Sequence, residues 1–85
     1  MSKDEIKSLV KQYLLDEFLP GAEADELDDS TPLISGGILD SISTTRLVAF
    51  LEERFGVTFD AHEMGVDYLD NLEDIASLVA EKSAA

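Results

Sequence analysis

The sequence predicts an all-α protein: a small four-helix bundle of three main helices and one short one, with a long loop between helices 1 and 2. Three observations predict it. Apolar residues recur at helical spacing in three separate stretches, each bounded by capping residues. No stretch alternates apolar and polar residues as a half-buried strand does. The 85 residues suffice for a single domain spanning 1–85 and leave no room for a second.

The elements follow in order. Ile6, Leu9, Val10, Tyr13, Leu14 and Phe18 fall on one helical face, with Ser2 as the N-terminal cap and Pro20-Gly21 as the stop. Residues 20–40 show no periodicity. They hold two proline-marked turns and the pair Gly36-Gly37, and Leu27, Leu33, Ile34, Ile38 and Leu39 should pin them across the helices. So long a loop in so small a domain points to function. A second helix is expected over 41–55, with Ile42, Leu47, Phe50, Leu51 and Phe55 inward and Gly56 as a left-handed C-terminal cap. Val57-Thr58-Phe59 reads as an extended link and residues 60–69 as irregular or one or two short helical turns. Met64 and Tyr68 are assigned to the core and His62 to the surface. Asn71 caps the last helix, 72–81, with Asp74 three residues on and Leu72, Ile75, Ala76 and Val79 as its buried stripe.

Six bases against nineteen acids leave a formal charge of −13. That charge repels phosphate backbones and anionic lipid, so neither nucleic-acid binding nor membrane insertion is expected. With 45% hydrophobic residues the chain should nevertheless fold. The absence of cysteine excludes disulfides, thiolate metal sites and a cysteine nucleophile, and one histidine is too few for a histidine zinc site. No signal peptide or apolar span is evident, and a cytoplasmic monomer is the expectation. Two segments, 16–29 and 60–74, carry seven and six acids and no base, so the whole net charge lies in them. They read either as solvated loops and helix ends or as a surface that steers basic partners. A calcium loop at 25–29 lacks the required ligand alternation.

Chemistry converges on Gly36-Gly37-Ile38-Leu39-Asp40-Ser41-Ile42. A flexible pair leads to an apolar anchor, then to an acid and a hydroxyl where a helix opens. The free N–H groups and dipole there favour an anionic group on that hydroxyl. Asp-Ser before a helix is also an ordinary cap. An esterase would need a base beside Ser41, and His62 is the single histidine to serve.

Taken together, this loop, the helix ending Leu47-Val48-Ala49-Phe50-Leu51-Glu52-Glu53-Arg54-Phe55-Gly56-Val57 and the segment Asp70 to Val79 resemble the phosphopantetheine-dependent carrier proteins, which include acyl, peptidyl and D-alanyl carriers. The resemblance covers nearly the whole chain. It implies a non-enzymatic, free-standing acyl carrier protein with 4′-phosphopantetheine, taken from coenzyme A, attached to Ser41 as a phosphodiester. Its terminal thiol would hold acyl intermediates of a fatty-acid, polyketide or dedicated secondary pathway as thioesters. Asp40 would assist the Mg²⁺-dependent transfer. The implied partners are a phosphopantetheinyl transferase, acyl- or aminoacyl-loading ligases and synthases. Ile42, Arg46 and Leu47 map to the partner-facing second helix or its apolar support. Arg46 departs from the acid that many fatty-acid carriers have there, which favours a dedicated pathway. Phe50 and Phe59 either fill a cargo cleft beside that helix, suiting short or aminoacyl cargo, or simply pack in the core. An aminoacyl or peptidyl carrier remains an alternative, as does an unmodified acidic helical adaptor in which Ser41 is only a cap.

Overall fold

The computed structural model describes residues 2–19, 21 and 27–84. The described residues form four helices, α1 (Lys3–Glu17), α2 (Ser41–Phe55), the single-turn α3 (Val66–Leu69) and α4 (Leu72–Ala84), with a 3₁₀ turn at Ala61–Glu63. No strand occurs among the described residues. The four-helix bundle read from the sequence is therefore the fold.

Each main helix starts and stops for a local chemical reason. In α1, Ser2 and Glu5 form a capping box, each side chain satisfying the other's backbone N–H. The helix ends at Glu17 with Phe18 as its C-cap; the expected stop at Pro20 lies outside the described residues. In α2, Asp40 caps the N-terminus and Gly56, at φ 67°, closes the C-terminus in the left-handed conformation. Asn71 Oδ1 accepts the Asp74 N–H at 2.7 Å, as the sequence implied, and α4 then runs to Ala84 rather than ending near Glu81.

The core is a single cluster. Ile6, Val10 and Leu14 of α1 pack with Leu72, Ile75, Ala76 and Val79 of α4, the most extensive helix pairing in the molecule. α2 contributes Thr44, Leu47, Val48 and Leu51. Ile42 is not part of it. At about 100° per residue it lies roughly opposite the inward direction set by 44, 47, 48 and 51, and it is 69% exposed. Phe50 and Phe55 are half-buried. Met64 and Tyr68 also correct the sequence reading. A four-residue helix turns one face inward, Leu69 takes that place, and Met64 and Tyr68 are left exposed. His62 is exposed as expected, with its ring edge-on to Tyr68.

The long connection is held on both sides. Leu27, Leu33 and Leu39 are buried in the core. The Leu33 N–H donates to the Asp70 carbonyl at 2.6 Å, and the Glu73 N–H donates to that of Asp29 at 3.2 Å. Lys3 and Lys7 pair with Glu73, and Lys7 also reaches Asp29 at 2.8 Å, so one end of the loop is strapped to α1 and α4.

Candidate functional site

The loop from Leu33 to Asp40 delivers Ser41 to the first turn of α2. Gly36 allows the tight turn, because a Cβ there would collide with the Pro32 carbonyl. Gly37 follows at φ 83°, a left-handed conformation that side chains rarely adopt. The Leu39 N–H closes the turn on the Leu33 carbonyl at 2.8 Å. Asp70 fixes it from outside: Oδ1 accepts the N–H groups of Ile34 and Ser35, both at 2.8 Å, and Oδ2 accepts the Ser35 hydroxyl at 2.7 Å. These bonds, the Ser35 N–H first, hold the Asp70 carboxyl below its ordinary range.

At the helix start the two adjacent polar side chains have separate roles. Asp40 is the cap: its Oδ1 accepts the Ser43 N–H at 2.8 Å, which lowers its pKa and keeps it ionised. The Ser41 side chain is exposed and makes no hydrogen bond to another described residue, while its carbonyl accepts the Thr45 hydroxyl at 2.9 Å. The capping requirement that could have consumed Ser41 is thus met by its neighbour. The hydroxyl stands free at the positive end of a 15-residue helix.

Beside it opens a cavity of about 490 Å³ lined by Ile34, Leu39, Asp40, Ser41, Thr44, Thr45, Met64 and Gly65. Its apolar residues come from the loop and the α3 side, its hydroxyls from α2. Thr44 is buried, yet no side-chain nitrogen or oxygen sealed from solvent lacks a hydrogen-bond partner among the described residues. The wall contains no histidine, so nothing there can act as an imidazole base toward Ser41.

The other residues singled out in the sequence fall in different places. Ile42 and Arg46 are exposed on α2, whereas Leu47 is fully buried and serves as apolar support. Neither Phe50 nor Phe59 lines the cavity. Phe50 stacks on Tyr13 of α1, with ring centroids 4.0 Å apart and planes within 9°. Phe59 is buried beneath Lys82, whose Nζ lies 5.2 Å from the ring centroid. Phe59 is thus a packing group, whereas Phe50, half-buried, also lines a second cavity of about 410 Å³ with Glu53 and Arg54.

Much of the acidic charge is engaged internally. Glu63 is buried, and its Oε1 accepts from Lys82 at 2.7 Å and from the Asp60 N–H at 2.9 Å, which lowers its pKa. Asp60, His62 and Glu63 bring ligand-capable atoms within 4.8 Å of one another, and Glu63 Oε1 is engaged by Lys82. Glu73 is held ionised first by Lys3 and then by Lys7. Asp28 folds its own turn through Ser30 and Thr31. Glu23, Asp25 and Glu26 lie outside the described residues. Sequence reasoning missed Asp70 altogether; the sole sequence signal was an acid just ahead of the Asn71 cap.

A family model described as the phosphopantetheine attachment site matches residues 15–79. No curated protein matches the chain. Among solved structures, a chain in a crystal structure described as that of an FAD-dependent dehydrogenase is similar to this one, at 36% identity and a TM-score of 0.73. The match covers 82% of this chain and 97% of that one, so the matched chain is the shorter of the two.

Proposed function

Because this chain belongs to the family that bears the phosphopantetheine attachment site, and its cofactor is therefore a covalent 4′-phosphopantetheine, we propose that Ser41 is the attachment residue and that the protein is an acyl carrier. The observation that carries the assignment is the free Ser41 hydroxyl: exposed, relieved of capping by Asp40, and placed at a helix N-terminus beside a cavity. The residues fit the group. Backbone N–H groups and the helix dipole favour a phosphodiester at that position, and the cavity offers apolar walls and hydroxyls to the part of the arm nearest the serine.

Transfer is the work of a partner phosphopantetheinyl transferase. The Ser41 Oγ–P bond forms as the pyrophosphate P–O bond of coenzyme A breaks; 3′,5′-ADP leaves and the hydroxyl proton passes to the transferase. Asp40, whose carboxylate caps α2 through the Ser43 N–H, would help hold the Mg²⁺ that the transfer requires. Once bound, the arm supplies a thiol that carries the acyl group. The chain's own part is to hold the arm's base rigidly, with Leu47 and Leu51 anchoring α2 and Asp70 anchoring the loop. Tethering also raises the effective concentration of cargo at each partner enzyme.

Intact-mass measurement after incubation with coenzyme A, Mg²⁺ and a broad-specificity transferase tests this, with Ser41→Ala beside it. One phosphopantetheinyl group should be gained by the wild type and none by the variant. A folded protein that gains nothing from several transferases would be the acidic adaptor instead.

A second reading concerns cargo and partner. The similarity to a short chain in an FAD-dependent dehydrogenase structure supports a flavin-dependent dehydrogenase among the partners, acting on an acyl or aminoacyl group carried here. In that step the tethered group is oxidised and the partner's flavin is reduced. Bleaching of the flavin absorbance by the loaded protein, and not by the unloaded one, is the expected signal.

A further inference from the structure

Away from Ser41, the turn that leads into α3 gathers a second set of chemically capable side chains. Asp60, His62 and Glu63 each offer a ligand atom, and those atoms lie within 4.8 Å of one another. All three stand on the single 3₁₀ turn, with Asp60 at its start. His62 is the chain's one imidazole. Its ring is exposed and sits edge-on to Tyr68, 6.0 Å between centroids.

The Glu63 carboxylate is held in place by one of its two oxygens. The Asp60 N–H donates to Oε1 at 2.9 Å, and the Lys82 ammonium donates to the same oxygen at 2.7 Å from α4. The Glu63 N–H returns to the Asp60 carbonyl at 2.9 Å, which closes the turn. Lys82 first, then the Asp60 N–H, lower the Glu63 pKa and keep the group ionised. Glu63 is only 9% exposed, yet no side-chain oxygen sealed from solvent lacks a partner among the described residues. Oε2, which takes neither bond, therefore opens on solvent. A buried carboxylate thus stands with one oxygen anchored and the other open, beside an imidazole and a second carboxylate.

We propose that Asp60, His62 and Glu63 form a binding site for a divalent transition metal of the Zn²⁺ type, with Glu63 Oε2, an Asp60 oxygen and an imidazole nitrogen as ligands and water completing the shell. One imidazole with two carboxylates is a different donor set from the several histidines that the composition excludes. Imidazole suits zinc, copper and nickel, whereas Mg²⁺ and Ca²⁺ take oxygen ligands. Two carboxylates balance the charge of the ion, and residues 60–74 hold six acids and no base to draw a cation there. Bonds of about 2.0–2.2 Å place tetrahedral ligands about 3.4 Å apart, so ligand atoms within 4.8 Å need to close by about 1.4 Å at most. Asp60 and His62 are exposed and have room to turn. Lys82 approaches the other oxygen of Glu63, so ammonium and metal share the carboxylate without contesting one atom. Met64 and Gly65 follow the turn directly and line the cavity beside Ser41, so an ion bound here stiffens one wall of that cavity. The site does not depend on the carrier reading.

The test titrates Zn²⁺ calorimetrically into the full chain at physiological salt, with excess Mg²⁺ present to occupy the diffuse field of the remaining acids. A single Zn²⁺ should bind per chain. Loss of a group that merely supports a ligand costs about 10–100-fold in metal affinity, so His62→Gln, which removes a ligand, should weaken binding at least about tenfold. Asp67→Asn, an exposed acid outside the cluster, should leave the affinity unchanged. The His62 ring resonances should shift on adding Zn²⁺ and stay put on adding Mg²⁺. No Zn²⁺ binding in excess Mg²⁺, a His62→Gln affinity within about threefold of wild type, or unmoved ring resonances overturns the proposal. Asp60→Asn should lose affinity as well. If that variant does not fold, because Asp60 opens the turn, His62→Gln and the wild-type resonances decide.

Discussion

Replacing Asp70 probes the link between the fold and the site most directly. Its carboxylate accepts three hydrogen bonds from Ile34 and Ser35, across 35 and 36 residues of chain, and all three are lost in Asp70→Ala. Each bond to an ionised acceptor is worth about 1.5–3 kcal/mol when sheltered; Asp70 is partly exposed, so about 1 kcal/mol each is the discounted value, or ~3 kcal/mol in all. For a domain of this size that lowers Tm by roughly 15 °C. Asp70→Asn keeps a carbonyl for the two N–H donors and loses the charge and the second acceptor, and should cost about 1 kcal/mol. The pH dependence has a definite sign. Because the folded-state pKa is depressed below the ordinary 3.8, the anion's contribution is fully present above that value and lost as pH falls through the folded pKa. The gap between wild type and Asp70→Asn should therefore narrow as pH drops from about 7 to about 2.5. Urea unfolding followed by helical circular dichroism measures both quantities. Asp70→Ala within about 0.5 kcal/mol of wild type, or a gap that does not change with pH, would refute the reasoning. Loading at Ser41 should slow as well, since the released loop ends at the helix start.

Leu47→Ala should cost about 3 kcal/mol by opening a cavity at a fully buried position, whereas Ile42→Ser should leave urea stability unchanged; equal effects would mean the two faces of α2 are misassigned. Asp40→Asn retains a cap of comparable quality, so its Tm should stay near wild type while transferase loading slows in a mass time course. Unchanged loading would remove Asp40 from the transfer. Added salt should raise Tm from low to physiological ionic strength, because the surplus of acids repels itself more than screening weakens the few ion pairs. A flat or falling Tm in differential scanning fluorimetry would show that the internal pairs already relieve the repulsion.

Helices were legible wherever the signal was local. Ser2, Asn71 and Gly56 cap as their residue types require, the stripe of α4 is buried as its spacing implies, and that of α1 is buried at Ile6, Val10 and Leu14 but only half-buried at Leu9, Tyr13 and Phe18. The single turn at Val66–Leu69 was not legible in the same way. Four residues hold barely one period, so which of Tyr68 and Leu69 turns inward depends on what packs against them, and Met64, two residues ahead of the helix, has no period to place it at all. Ile42 misled for a related reason. It is apolar and in a helix, but a two-residue offset from Thr44 carries it to the opposite side.

The charge pattern shows the same division. The acidic segments were obvious as composition, yet Asp29, Glu63, Asp70 and Glu73 find their partners 22, 19, 35 and 70 residues away. Such pairings exist only once the helices are assembled, because a carboxylate selects its donor by distance in space.

By itself the sequence determined the helical class, the helix limits set by caps and the single-core architecture, and it singled out the serine proposed above as the attachment residue. All of these depend on residues within a turn or two of one another, or on motifs read in order along the chain. Tertiary structure decided that Asp40 caps and so leaves Ser41 free, that Asp70 holds the loop, that Leu47 is buried while Ile42 and Arg46 face outward, and that a cavity opens beside Ser41. Each of those depends on which groups the packed helices bring within a few ångströms, and no local spacing encodes that distance.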